Sequence, residues 1–235
     1  MKTIGLIGGL SWESSLEYYR IVNQVVKQKL GGLHSAQCLM YSVDFGPVEA
    51  LMRQGKWQEL NALLVEAALS LKRGGAEFII ICSNTMHKSA DSIEAETAIP
   101  VLHIADTVAQ RIKAKGIKKV GLLGTKFAME GEFYRQRLKG RHEIEAIIPA
   151  ADEREVINTV IFQELCLGIL KQDSKKRFQR IINNLLLKGA EGIVLGCTEI
   201  PLLIKQVDVA APVFDTMTIH AGAAVEYALH SGDVI

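Results

Sequence analysis

The stretch Gly75-Ala76-Glu77-Phe78-Ile79-Ile80-Ile81-Cys82-Ser83-Asn84-Thr85 lies over Gly189-Ala190-Glu191-Gly192-Ile193-Val194-Leu195-Gly196-Cys197-Thr198-Glu199 at a constant offset of 114 residues. Both open with Gly-Ala-Glu, run through apolar residues and end on a small residue carrying an exchangeable proton, Ser83 in one and Cys197 in the other. Two further segments align in the same order. Gly5-Leu6-Ile7-Gly8 matches Gly121-Leu122-Leu123-Gly124 at offset 116, and Ile99-Pro100-Val101 matches Ala211-Pro212-Val213 at offset 112. Offsets this close, in chain order, mark an internal duplication.

Each copy reads as apolar strands alternating with amphipathic helices. Strands are expected near 3–7, 36–43, 77–82 and 100–104, and again near 119–123, 143–148, 191–196 and 212–214. Continuous apolar runs such as Phe78-Ile79-Ile80-Ile81 suit strands covered on both faces, hence parallel sheets. Leu60, Leu63, Leu64, Ala67, Ala68 and Leu71 fall at helical spacing and predict a core stripe, as do Val156, Ile157, Val160, Ile161 and Leu165. The fold class is therefore α/β, with two pseudosymmetric, doubly wound parallel-sheet domains. The expected first domain is 1–103 and the second 104–214, with a helix in 215–235 packing back on the first.

Composition narrows the function. In 235 residues, 27 Lys+Arg face 26 Asp+Glu, and no run of five like charges offers a stripe to nucleic acid. No apolar run reaches the length of a membrane span, and the N-terminal segment turns polar too early for a secretory leader. A soluble, cytoplasmic protein without nucleic-acid or membrane partners is expected. Four cysteines, Cys38, Cys82, Cys166 and Cys197, form no CxxC pair. They suggest reduced thiols and no metal.

Ligands of open parallel sheets bind beyond the carboxyl ends of strands. The duplicated segments deliver Ser83-Asn84-Thr85 and Cys197-Thr198-Glu199 there. An approximate two-fold would set Ser83 and Cys197 on opposite sides of one small molecule. A strand-to-helix turn favours thiolate at Cys197 and can hold a substrate carboxylate through backbone N–H groups. Cys82, one residue before Ser83, should point the other way into the core. His87 is read either as an acid/base or as a polar helix-end residue. Asp44, His103 and Asp215 are read as solvated loop residues, and Arg53 as a surface arginine or a carboxylate partner. Neither a complete G-x-G-x-x-G nor a P-loop is present.

Three motifs, Gly5-Leu6-Ile7-Gly8-Gly9-Leu10-Ser11, Asn84-Thr85-Met86-His87 and Gly196-Cys197-Thr198-Glu199, resemble the aspartate/glutamate racemase superfamily over nearly the whole chain. The resemblance implies two α/β domains with the active site between them. It also implies proton exchange at the substrate α-carbon without pyridoxal phosphate or any other cofactor, and a homodimer. By position it implies catalytic roles for Cys197 and Ser83. Asn84, Thr85, Thr198 and Glu199 would surround the amino-acid backbone, and Leu10 and Ser11 would line the same pocket. Ser83 stands where the family has its first cysteine, so unequal forward and reverse rates are expected. Cys166 stands where related aspartate racemases often have a lysine for the side-chain carboxylate, and Met52 and Arg53 join it as candidate substrate-binding residues. The reading that follows is racemisation of aspartate or glutamate. The alternatives are a single-cysteine decarboxylase or isomerase of a small dicarboxylic acid, and a catalytically silent amino-acid-binding protein.

Overall fold

A computed structural model describes residues 1–230; the remainder of the expected 215–235 helix segment lies outside the described residues. The chain divides into two compact units. One comprises Met1–Ile104 and the chain from His220 on, the other Ala105–Ile219.

In the first unit, β1 (Ile4–Gly8) leads to α1 (Trp12–Leu30), β2 (Cys38–Ser42), α2 (Phe45–Arg53), α3 (Trp57–Arg73) and β3 (Phe78–Ile81). A 3-10 turn, Thr85–Ser89, and α4 (Ala90–Thr97) follow. The second unit takes up α5 (Ile104–Lys113), β4 (Lys119–Gly124), α6 (Lys126–Glu130), α7 (Glu132–His142), β5 (Glu145–Ile147) and α8 (Ala151–Gln163). After a 3-10 turn at Leu165–Leu167 come α9 (Gln172–Leu187), β6 (Gly192–Gly196), α10 (Ile200–Leu203), β7 (Val213–Asp215) and α11 (Thr216–Leu229).

All strand pairs are parallel, in the orders β2-β1-β3 and β5-β4-β6-β7. The central pairs repeat: Ile4 stands opposite Phe78 in one sheet, and Val120 opposite Gly192 in the other. Every residue of β1, β3 and β6 is buried, as strands with cover on both faces require. Full burial of Ile79, Ile80 and Ile81 contributes about 2 kcal/mol each from the area removed from water. The stripe on α3 is buried at Leu60, Leu64, Ala67, Ala68 and Leu71, while Leu63, also expected in it, lies at its edge and is half-buried.

The expected strand at 100–104 is reduced to one bridge, Ile79 with Val101. Its hydrogen bonds are nevertheless those of its counterpart. The Ile79 N–H donates to Pro100 O and the Ile193 N–H to Pro212 O, both at 2.8 Å. The first copy is shorter because α5 begins at Ile104, whereas β7 continues through Asp215.

From His220 on, α11 packs on the first unit. The Lys2 N–H donates to Ala228 O at 2.8 Å, and the Tyr227 ring meets Phe78 edge-on at 4.6 Å. His220 is fully buried. Its Nε2 lies 2.7 Å from the Leu102 carbonyl, which can only accept, so Nε2 carries the proton and Nδ1 accepts from the Tyr18 hydroxyl at 2.9 Å. Burial pushes this imidazole from an ordinary value near 6.5 down to about 4.

The sign of the linkage follows. Below about pH 6.5 the unfolded chain takes up a proton that folded His220 refuses until about pH 4, so the folded state loses stability as pH falls through that window. Acid unfolding should therefore show up to about 3 kcal/mol of destabilisation from this one group. His220→Gln, which keeps a donor for Leu102, should flatten that part of the curve. Denaturant melts of the two proteins from pH 7 to pH 4 measure the difference, and parallel curves would refute the assignment.

Candidate active site

In the first unit, polar residues gather where β1 and β3 end. Past Gly8 the chain turns through Gly9 at φ 79°, where an added Cβ would stand 2.1 Å from the Val43 carbonyl oxygen. Only glycine permits that approach. The Gly9 N–H donates to Ser15 Oγ at 2.7 Å, and Ser15 Oγ in turn donates to the Ser11 carbonyl at 2.9 Å. Ser11 is the N-cap of α1, with its Oγ accepting from the Ser14 N–H. Leu10, between them, is buried. Both residues expected to line a pocket thus sit on a loop fastened to the start of α1.

Beyond β3, Cys82 continues the ladder, its N–H donating to Ile7 O at 2.9 Å. Its side chain is fully buried, and loss of hydration pushes the thiol well above its usual range. It is a core residue, as strand alternation requires. Ser83 follows, half-buried, and then Asn84 and Thr85, both buried although polar. His87, only 2% exposed, brings Nδ1 to 2.7 Å from the Ser83 carbonyl. On α2, Met52 is buried. Arg53 is not: its side chain is 74% exposed and paired with Glu49 one turn earlier at 2.6 Å.

In the second unit the matching position is the end of β6. Gly196 precedes Cys197 in close contact with β4: a Cβ on Gly124 would stand 2.9 Å from the Gly196 carbonyl oxygen. Cys197 is 8% exposed and belongs to the core formed with Leu165, Ile200 and Leu203. Its Sγ donates to Glu199 Oε2 at 2.9 Å, and Thr198 Oγ1 donates to the same oxygen at 2.7 Å. Desolvation and then the Glu199 carboxylate push the Cys197 thiol well above its usual range.

This corrects the expectation of a thiolate stabilised by a helix start. α10 is a single turn of four residues, and its N-terminus is outweighed by burial and a neighbouring negative charge. Cys166, on the 3-10 turn after α8, is exposed and adds a small push in the same direction.

Other sequence candidates resolve into structural roles. Asp44 caps α2 through the Gly46 N–H at 3.1 Å, and Asp215 caps α11 through Met217 and Thr218. His103, expected in solvent, is 4% exposed and packs against His87 with ring centroids 4.8 Å apart. Two contacts were not legible beforehand. Glu199, which the resemblance places around the amino-acid backbone, also reaches the thiol, because Cys197-Thr198-Glu199 forms a tight turn. Tyr18 meets His220 across 202 residues of sequence, and no local pattern announces that contact.

Comparison with known proteins agrees with this layout. The family model of the Asp/Glu/hydantoin racemases matches residues 7–224. The broad specificity amino-acid racemase RacX of Bacillus subtilis is 22% identical over 71% of this chain and 71% of its own. A glutamate racemase of Streptococcus agalactiae is 26% identical over 68% of this chain, which spans 56% of that protein's length. Among solved structures, a candidate Asp/Glu racemase from Yersinia pestis superposes with a TM-score of 0.94 at 54% identity, over 98% of this chain and all of that one. An aspartate racemase homologue from Pyrococcus horikoshii OT3 does so with a TM-score of 0.87 at 37% identity, over 98% and 100%. The chain belongs to the Asp/Glu/hydantoin racemase family and is by that membership an isomerase of the amino-acid racemase kind.

Proposed function

We propose that this protein interconverts the enantiomers of an acidic amino acid, aspartate or glutamate, with Cys197 and Ser83 exchanging protons on opposite faces of the α-carbon. The observation that carries the reading is the Cys197–Glu199 hydrogen bond. A buried neutral thiol is a poor base, but one already donating to a carboxylate can pass its proton along that bond when substrate arrives. Glu199 then holds the proton, and the Cys197 thiolate takes the α-proton of one enantiomer. The resulting carbanion is protonated on its other face from the Ser83 side, directly or through a water; the oxyanion left there recovers a proton from solvent as Glu199 releases its own, which restores the resting state. Backbone N–H groups of the two strand-end turns would stabilise the enediolate that forms in between.

A serine hydroxyl is far less acidic than a thiol, so the two faces are chemically unequal and so are the two directions. The relatives, a broad specificity amino-acid racemase and glutamate racemases, support the substrate class, with Cys166 and Met52 as side-chain selectors. A cytoplasmic setting keeps the cysteines reduced. A homodimer belongs to the same reading: α1 exposes Trp12, Leu16 and Tyr19 along one helical stripe, an apolar face that a second copy would cover.

Three outcomes are expected. Cys197→Ala should lower α-proton exchange in D₂O by at least about 10²-fold for every substrate, followed by loss of the Cα–H NMR signal; undiminished exchange would defeat the assignment. Glu199→Gln removes the charge that raises the thiol. The pH profile of Cys197 alkylation should therefore move to lower pH while turnover falls about 10²-fold, and a profile that stays in place would show that the carboxylate does not act on the thiol. In sedimentation equilibrium the protein should be dimeric and Trp12→Lys with Leu16→Glu monomeric; a monomeric parent would remove the interface.

A further inference from the structure

We propose that His87 is a positioning residue for Ser83, its ring replacing a backbone donor that the local turn withholds. The inference rests on Ser83 being one of the two proton-exchanging groups. In a regular α-helical turn the Ser83 carbonyl would receive the N–H of residue 87. Here the chain tightens into a 3-10 turn, and the His87 N–H goes instead to the Asn84 carbonyl at 3.2 Å. The Ser83 carbonyl is left over at a half-buried helix start, and the same residue returns to satisfy it with its side chain, Nδ1 to O at 2.7 Å. A carbonyl only accepts, so Nδ1 carries the hydrogen and the tautomer is set by this contact.

The ring cannot swing away. It lies 4.8 Å from the His103 ring at 57° and 5.2 Å from the His220 ring at 67°. His220 is itself pinned between Tyr18 and the Leu102 carbonyl. All four side chains are less than 5% exposed and come from four separate segments: α1, the 3-10 turn, the residue before α5, and α11. Burying an imidazole costs free energy that an aromatic hydrocarbon of similar size would not. What the imidazole adds at position 87 is the Nδ1–H aimed at Ser83. With its carbonyl clamped, the Ser83 peptide has a fixed orientation and its hydroxyl a fixed origin. A displacement of about 1 Å at a reacting group costs on the order of 10²-fold in rate.

The experiment measures Cα deuterium exchange for each enantiomer separately in His87→Phe, His87→Asn and Ser83→Ala. Asparagine presents its amide nitrogen where Nδ1 stood and phenylalanine presents none. His87→Phe should lower exchange on the Ser83 face by about 30- to 100-fold while the Cys197 face stays within about threefold, with kcat falling and KM little changed. His87→Asn should recover most of the loss. Equal losses on both faces in His87→Phe, no loss at all, or no recovery with asparagine would each overturn the inference. Ser83→Ala separates this from failure of the underlying reading: if neither face responds to it, Ser83 exchanges no proton and the inference falls with it. Should His87→Phe fail to fold, ¹⁵N-histidine NMR of the parent protein still decides, since an imidazole protonated only at Nε2 at position 87 is incompatible with the contact.

Discussion

A parallel strand covered on both faces has no room for a polar side chain except at its ends, and that constraint organises each unit of this molecule. β3 and β6 are each the inner product of the same duplicated segment, buried throughout, and both release their first polar residues one or two positions after the last ladder hydrogen bond. Ser83 and Cys197 stand where they do because the chain before them is too apolar to stand anywhere but the core. The close passes of backbone on backbone, Gly9 against Val43 and Gly124 against Gly196, tie adjacent strand ends together in each unit.

The two turns differ in what they set beside the exchangeable proton. Behind Cys197 lies hydrocarbon, and beside it a carboxylate that accepts both the thiol and the Thr198 hydroxyl. Burial and negative charge both oppose ionisation of the thiol, in agreement with one another. Behind Ser83 lies a set of buried imidazoles, one of them neutral down to about pH 4. On the proposed reading, the thiol exchanges its proton locally with a carboxylate partner, while the Ser83 alcohol hangs from a peptide whose carbonyl is held by His87.

Much of this was legible in the sequence, and the rest was not for identifiable reasons. The duplication, the parallel strands and the inward-facing Cys82 follow from spacing and alternation, which are local properties of the chain. The ionisation of Cys197 was misjudged because motif position reports a helix start but neither its length nor the depth of burial, and here a four-residue helix loses to desolvation. His103 was misread for a related reason. A polar residue after a strand suggests solvent, but its ring is buried against His87, which the turn after β3 brings alongside. Arg53 shows the converse, since a nearby glutamate on the same helix meets its charge.

On the proposed reading a serine does the work of a thiol in one copy of the duplicated segment, and that bears on what the rest of that copy must do. Two thiols can each shuttle a proton with modest help, so their orientation tolerates some looseness. A hydroxyl, several units less acidic, must be used in one geometry, with its donor direction and any bridging water in register with the carbanion. Rigidity is then worth more on the serine side than on the cysteine side. The first unit has it: three histidines and a tyrosine, drawn from segments spread across the chain, converge behind a single peptide carbonyl. The second unit meets its own requirement with one carboxylate two residues from the sulfur. The asymmetry of the proposed chemistry is thus matched by an asymmetry of support between the two copies of the duplicated segment.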